Sequence, residues 1–414
     1  MTQTALSATK LILIGLLGLG LLVPLVMVGA VIADRESWQA QARREVAASW
    51  GEPQTLLGPL LVLPYRERNG DKRHLVVAPE HLATRATLAP ERRRRGLFET
   101  VVYTASIGWE GAFRAEYSLP EGAEPLWPDA YLLTANSDHR VAEPPRLSWG
   151  GRALLPAAVT DCGLFESQRW PLGLAVPPQG NIPVPVSGGV ALRGTGSLRV
   201  VPVGRRPRLS MAGPWASPSF IGTDLPARVS LTDDAFQAEW TGGQEAWPDI
   251  MPNGCLLNLV ERLGVGVALI EPVQTYRMVN RAAKYSVMFV ALCFLTYLLF
   301  ELLGGVRIHL VQYGLLGASL VLFPLLLLAL AEPLGFATAY AVATAMVLGQ
   351  AGLFTAAVVG RAGLAAIFAS ILGGLFGFLY VVLSLESFSL LVGAVALFAA
   401  LSLVMVVTRR VQWG

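Results

Sequence analysis

The 414-residue chain is poor in charge: only 15% of its residues are Asp, Glu, Lys or Arg, against about 25% in ordinary soluble proteins. It also contains only 3 cysteines and 4 histidines. With 53% hydrophobic residues and a mean hydropathy of +0.52, the composition excludes a disordered chain and a nucleic-acid-binding protein, since both need more charge. The shortage of charge indicates that part of the chain lies in a membrane.

The charged residues are unevenly distributed along the sequence. The last 130 residues, from Tyr285 onward, hold seven of them, whereas the segment 34–284 holds 53 in 251 residues, or 21%. That segment has 27 basic and 26 acidic residues, so the net charge of +3 does not describe a cationic surface. The sequence therefore joins an ordinary globular segment to a strongly apolar one.

Long apolar segments predict six transmembrane helices. Residues 11–33 carry no charge and are long enough to cross the hydrocarbon core. A cleaved signal peptide is the alternative, because small residues precede Asp34. Sparse charges divide the C-terminal block, 285–410, into five further runs near the length that a spanning helix needs. These runs are 285–303, 311–331, 335–359, 363–384 and 388–408.

The positions of basic residues in the short connections predict the orientation. With residues 1–10 and 411–414 in the cytoplasm, the outer turns carry Glu332 and Glu386. The cytoplasmic positions are then Lys10, Arg307 with His309, Arg361, and Arg409 with Arg410. Every short connection obeys the positive-inside rule in this orientation. We therefore expect residues 34–284 to lie outside the cytoplasmic membrane.

The exported segment predicts a mainly β domain that follows a helical stalk. The residues after Asp34 favour a helix that continues to about Pro53. Beyond it, short runs of branched and aromatic residues alternate with turn residues, as in antiparallel sandwiches. Whether the strands form one sandwich or two smaller sheets stays open. The predicted strands include 55–65, 74–79, 99–111, 113–119, 131–136, 197–203, 228–232 and 236–240.

Motifs for catalysis and for metal binding are absent from the sequence. There is no GxSxG, GxxxxGK[ST], HExxH or CxxC segment, and the histidines lack metal-ligand spacing. We therefore expect no enzyme activity, no metal and no cofactor. Cys162 and Cys255 both lie in the exported segment, where a disulfide is permitted but not determined. Cys293 is expected to pack as a small apolar residue.

Four consecutive arginines follow Glu91. We call Arg92, Arg93, Arg94 and Arg95 the arginine run. One interpretation is contact with anionic lipid headgroups, because such surfaces attract basic side chains. The other is a solvated strand edge or hairpin, where charge discourages aggregation. The sequence leaves both interpretations open.

Three uncharged residues are predicted to lie at contacts between helices. Gly373 and Gly377 have GxxxG spacing, which permits close approach of two backbones and predicts a packing seam. Gln350 is the most central strongly polar residue of the predicted helices, and we interpret it as the partner in a hydrogen bond between helices.

Charged residues fall near the predicted helix ends, which argues against an ion-coupled transporter.

Several segments resemble the CreD family of bacterial inner-membrane proteins. They are 281–303, 307–340 and 408–413 in the apolar part, and 51–64, the PEH and ERRRRGLFETVVY region, 194–204, 215–226 and 236–240 in the exported part. The chain departs from the family pattern at Pro324 and at 331–333. The resemblance implies a Gram-negative envelope protein linked to envelope integrity, colicin tolerance and stress responses, with no established catalytic residues.

Two groups of residues combine family-like sequence with unusual chemistry. In the first group, Glu301 is predicted to form an ion pair or hydrogen bond across a short connection, and anchoring at the membrane interface is the alternative. Its proposed partners are Arg307, His309, Gln312 and Tyr313. The second group is a Pro- and aromatic-rich loop, explained by core packing or by recognition of a partner. Its residues are Trp215, Pro218, Ser219, Phe220 and Gly222.

The sequence thus predicts a multi-pass inner-membrane protein that acts without catalysis in envelope maintenance, by binding a lipid or an envelope protein. A component that transports lipid or another small amphiphile is the alternative, and it would need a continuous apolar groove. An enzyme acting on envelope polymers would need clustered carboxylates, which the spacing does not show. The bilayer is the expected surrounding, no nucleic-acid partner is expected, and the oligomeric state is left open.

Overall fold

The computed structural model describes residues 8–96, 98–114, 117–158, 166–174, 182–241, 263–269 and 275–384, with isolated positions between 391 and 406. The chain divides into two compact units. The helical unit comprises Met1–Ala40 with Val273–Gly414, and the β-unit comprises Gln41–Pro272. Cys162, Cys255 and most of the predicted helix 388–408 lie outside the described residues.

The described helices are long and apolar. In chain order they are α1 Ala8–Gly20, α2 Leu22–Trp50, α3 Thr275–Gly304, α4 Leu310–Leu334, α5 Phe336–Val359 and α6 Ala362–Ser384. Because α1 and α2 follow each other almost without interruption, the described residues contain five helices able to cross a membrane. Helix α2 continues past its apolar part and contributes to both units.

In the helical unit, α4 packs against α3 and α5, and α6 packs against α5 and α3. Polar side chains in this apolar surrounding find partners on neighbouring helices. Ser319 of α4 donates to Gln350 of α5 at 3.0 Å, which confirms the predicted hydrogen bond between helices. The hydroxyls of Tyr297 and Thr355 lie 2.7 Å apart between α3 and α5. Cys293 is buried in α3, as expected for a small apolar residue.

The β-unit contains seventeen strands among its described residues. The first nine are β1 Gln54–Arg66, β2 Lys72–Val77, β3 His81–Arg95, β4 Phe98–Phe113, β5 Glu124–Pro125, β6 Tyr131–Asn136, β7 Val141–Trp149, β8 Arg152–Ala153 and β9 Ala157–Ala158. The others are β10 Glu166–Pro171, β11 Val184–Thr195, β12 Ser197–Val201, β13 Arg206–Gly213, β14 Pro218–Ile221, β15 Arg228–Leu231, β16 Phe236–Thr241 and β17 Val265–Leu269.

These strands form two large sheets. The nine-stranded sheet has the order β14-β17-β12-β1-β6-β10-β9, with β2 and β5 also paired to β1. The eight-stranded sheet has the order β15-β16-β13-β3-β4-β11-β7-β8. Buried side chains of both sheets, such as Leu60 and Trp170 in one and Tyr103 and Met211 in the other, belong to a single hydrophobic core. The two sheets therefore share one core rather than forming two separate folds.

Two details of the β-unit correct the predictions. Strand β1 pairs with β12 in parallel, and so does β3 with β13. The domain was predicted to be antiparallel, with no particular pairs assigned, but the members of these two pairs are far apart in sequence and are not joined by a tight turn. The predicted strand 113–119 is also wrong, because β4 ends at Phe113 and Tyr117–Leu119 are not in a strand. Pro120 lacks the N–H that a continuing ladder would need.

Candidate functional site

The end of α2 is held by a polar cluster within the β-unit. Asp138, whose side chain is 4% exposed, accepts hydrogen bonds from the Glu52 N–H at 2.7 Å and from the Arg140 guanidinium at 2.8 Å. Arg140 also donates to the carbonyl of Ala48 at 2.6 Å. The last four carbonyls of a helix lack partners inside the helix. Arg140 therefore satisfies one of them, and its charge is favourable at this end of the helix dipole.

Trp50, the last residue of α2, belongs to the same cluster. The Cζ of Arg93 lies 3.8 Å from its ring centroid, and the Cζ of Arg193 lies 4.9 Å from it. The indole N–H donates to the carbonyl of Tyr103 at 3.2 Å. Two cation–π contacts and a hydrogen bond thus hold one side chain, and each cation–π contact is worth about 0.5–2 kcal/mol.

The ionisation of Asp138 follows from these contacts. Burial alone would raise the pKa of its carboxyl, but hydrogen bonds from the Glu52 and Arg140 N–H groups and from the Arg140 guanidinium outweigh burial. They hold the pKa below its ordinary value. The carboxylate is therefore ionised at neutral pH and keeps Arg140 in place. We call Trp50, Arg93, Asp138, Arg140 and Arg193 the helix-end cluster.

The arginine run lies at the end of β3, opposite the start of β4. Each guanidinium contacts a side chain of the β-unit. The partners are Trp215 for Arg92 at 5.8 Å from the ring centroid, Trp50 for Arg93, Glu99 for Arg94 at 2.5 Å, and Glu45 for Arg95 at 2.7 Å. The run is therefore part of a hairpin, and two of its members hold α2.

A second cluster lies in the helical unit. Glu301, near the end of α3, forms an ion pair with Lys10 of α1 and accepts a hydrogen bond from the Tyr313 hydroxyl at 3.4 Å. Lys10 also donates to the Ile308 carbonyl at 2.8 Å. These contacts join the first helix to α3 and to the connection that follows it, and they join α3 to α4.

A matching contact involves Glu332, near the end of α4. It accepts a hydrogen bond from the Tyr276 hydroxyl at 3.0 Å, and the Arg35 guanidinium lies 3.9 Å away. In a continuous helix, Lys10 and Arg35 would be about 37 Å apart, somewhat more than the hydrocarbon core of about 30 Å. The N-terminal helix thus forms ion pairs with the other helices at two points, which are separated by about the thickness of a membrane.

The structure corrects the network predicted around Glu301. Arg307 is exposed, and within the described chain it forms no ion pair with Glu301. His309 instead caps α4, since its Nδ1 accepts from the Val311 N–H at 3.3 Å and its own N–H donates to Gln312 at 2.7 Å. Of the predicted partners, only Tyr313 reaches the carboxylate. Lys10 was missed because 291 residues separate it from Glu301.

The predicted loop around Trp215 is partly a strand. Pro218–Ile221 form β14, which pairs with β17, and Ser219 lies opposite Ala268. Phe220 packs edge-on against Phe236 and Trp240, with ring centroids 6.5 Å and 6.0 Å away. Both Phe220 and Trp215 are half-buried against the core. Core packing accounts for this segment, and Gly222 ends it with a φ of +120°.

Replacing Gly222 by alanine should destabilise the β-unit by about 1–3 kcal/mol. Its φ is unfavourable for side chains, and a Cβ would collide with the Gly264 carbonyl and the Val265 backbone. The midpoint of thermal unfolding of the purified protein measures the effect. Gly70→Ala is the control, because φ is +90° there but no atom lies within 4 Å of the added Cβ. An unchanged midpoint for Gly222→Ala would contradict the prediction.

The glycines predicted to form a seam do not act as a pair. A Cβ on Gly373 would lie 3.7 Å from the Cδ2 of Leu348 in α5, which is ordinary contact. Around a Cβ on Gly377, no atom of the described structure lies within 4 Å. Of the two glycines, Gly373 alone faces a neighbouring helix among the described helices, and the GxxxG spacing marks no close helix crossing there.

A small polar pocket lies where β2 ends and β3 and β13 begin. Its volume is about 150 Å³, and it is lined by Val77, Ala78, Glu80, Arg114, Arg205 and Arg206. Glu80 accepts from Arg114 at 3.1 Å and from Arg206 at 2.8 Å. These ion pairs tie the strand ends together. Among the described residues, no group of three or more His, Cys, Asp or Glu side chains could hold a metal ion.

Comparison with known proteins covers both units. A family model described as inner membrane protein CreD matches residues 7–414. Inner membrane protein CreD of Escherichia coli (strain K12) is 28% identical over 430 aligned positions, which cover 95% of this chain and 90% of that protein. The resemblance seen in the sequence is thereby confirmed. The chain belongs to the CreD family of inner membrane proteins.

Proposed function

We propose that the protein acts without catalysis in maintaining the cell envelope, and that its β-unit binds a lipid or an envelope protein. The observation that carries this proposal is a large β-unit inserted between the first and second apolar helices. Among the described residues of the β-unit, the most buried carboxylate is that of Asp138, and together with Arg140 it holds the end of α2. Roles in colicin tolerance and stress response, which the family resemblance implies, are part of the proposal.

The proposal places both chain termini in the cytoplasm and the β-unit on the outer side of the inner membrane. The alternation of Lys10, Arg307 and Arg361 with Glu332 supports this orientation. The N-terminal helix is retained as an anchor. Cleavage after Ala33 would remove Lys10 and leave the Glu301 carboxylate without its ion-pair partner, at a cost in stability.

Binding is better supported than transport. The charged residues of the described helices lie near the ends of their apolar segments, and a coupled carrier would need such groups nearer the middle. The pocket around Glu80 is polar and is only about 150 Å³ in volume. This pocket is therefore too small and too polar to hold an amphiphile.

Photo-crosslinking in living cells tests the proposed function. A photoreactive residue at Leu225, a well-exposed position of the β-unit, should yield discrete adducts with lipid or with an envelope protein, identified by mass spectrometry. The same residue at Leu353, which is exposed on α5, is the control for contacts with the bilayer. A strain lacking the gene should become sensitive to envelope stress, and the full chain should restore tolerance. Absence of both a phenotype and β-unit adducts would reject the proposal.

A further inference from the structure

Two members of the arginine run, Arg93 and Arg95, contact the end of α2. Arg93 lies over the ring of Trp50 and also pairs with the exposed Glu91 at 3.5 Å, and Arg95 pairs with Glu45, five residues before Trp50 in the same helix. Yet the side chains of Arg93 and Arg95 are still 46% and 57% exposed. An anion in solution can therefore reach both guanidiniums while the helix end holds them.

The contacts that hold these two arginines are weak ones. Exposed ion pairs contribute little to stability, because solvent screens them. Cation–π contacts at exposed sites are of similar size. An anionic lipid surface attracts each nearby arginine about as strongly, and a phosphate group can accept two hydrogen bonds from one guanidinium. The helix end and a phosphate group thus compete for the same guanidinium donors with similar interaction free energies.

We propose that the end of α2 is a latch on the arginine run, and that the phosphate-bearing headgroup of an anionic phospholipid opens it. The headgroup displaces Glu45 from Arg95 and Trp50 from Arg93. This inference rests on the proposed function, since it names lipid as the partner of the β-unit.

Opening the latch loosens the helix end without releasing it. Arg193 keeps its contact with Trp50, and Arg140 keeps its hydrogen bond to the Ala48 carbonyl. Asp138 holds Arg140 in both states, because its hydrogen-bond donors among the described residues are Glu52 and Arg140 and not the arginine run. The change is therefore confined to the last turns of α2 and to the β3–β4 hairpin.

Hydrogen exchange on the full-length protein in detergent tests the latch. The probe is a short-chain phosphatidylglycerol, and short-chain phosphatidylcholine and inorganic phosphate are the comparison ligands. Phosphatidylglycerol should raise amide exchange over residues 45–50, whereas phosphatidylcholine should not, because its choline cancels the phosphate charge. Equal effects of inorganic phosphate and phosphatidylglycerol at the same concentration would overturn the assignment to lipid.

Variants separate a latch from a purely structural contact. Glu45→Gln removes the competing carboxylate and should tighten phosphatidylglycerol binding by about two- to fivefold. Arg95→Gln removes one of the guanidinium groups proposed to bind the headgroup and should weaken phosphatidylglycerol binding. Glu36→Gln, nine residues before Glu45 in the same helix, is the matched control. Equal affinities of Glu45→Gln and Glu36→Gln would overturn the latch, while the crosslinking and complementation results would still decide the proposed function.

Discussion

Replacing Asp138 by alanine is expected to lower the free energy of unfolding of the β-unit by about 3 kcal/mol. The substitution leaves the Arg140 guanidinium and the Glu52 N–H without their acceptor, at a site where the carboxylate is almost fully buried. Arg140 is partly exposed, which keeps the loss near the lower limit for a broken buried pair. Denaturant unfolding of the purified full-length protein, followed by tryptophan fluorescence, measures it.

The pH dependence of the same variant provides an independent check. The folded pKa of Asp138 lies below its ordinary value of 3.8. Its stabilising contribution is therefore complete above that value and is lost as the pH falls through the folded pKa. The Asp138→Ala variant should lack this part of the acid destabilisation, and Asp138→Asn, which keeps one acceptor oxygen, should lose less at neutral pH. Equal stability of Asp138→Ala and the unsubstituted protein at pH 7 would contradict the assignment.

The second large effect is expected from Glu301→Lys in the helical unit. This change sets two ammonium groups against each other where the Glu301 and Lys10 side chains are only 11% and 27% exposed. Breaking a buried ion pair costs about 3–5 kcal/mol, and repulsion adds to that cost. The yield of monodisperse protein after detergent extraction, and its thermal midpoint, should both fall.

Charge reversal at both positions is the control for this variant. Lys10→Glu combined with Glu301→Lys restores opposite charges and should recover most of the lost yield. Glu332→Lys should be milder, because Arg35 lies 3.9 Å from Glu332 and is about half exposed. A double variant as poor as Glu301→Lys alone would show that Lys10 is not the partner on which assembly depends.

The helices could be predicted because crossing a membrane depends on local composition. The runs 335–359 and 363–384 differ by one residue from the observed starts of α5 and α6 and end where those helices end. Strands were harder to predict. Strand β1 was predicted because it is a continuous apolar run. Strands β11 and β13 were missed, because glycines interrupt the first and arginines the second, so that neither has a clear alternating pattern.

The polar clusters depend on contacts between distant parts of the sequence. Glu52 and Asp138 are 86 residues apart, and nothing in the spacing of either residue indicates the other. The partner of Glu301 was sought nearby and was found in the first helix. Gln350 was predicted correctly because a lone polar side chain in an apolar helix must find a partner on another helix.

The parallel pairing of β1 with β12 has a kinetic consequence. Leu56 lies opposite Val200, so an inner strand of the larger sheet remains without one of its neighbours until about 140 further residues have been synthesised. Closing a loop of this length is slow compared with forming the β3–β4 hairpin. Strand β1, almost entirely apolar and buried in the finished fold, is therefore a strand that must be shielded from aggregation while the rest of the chain emerges.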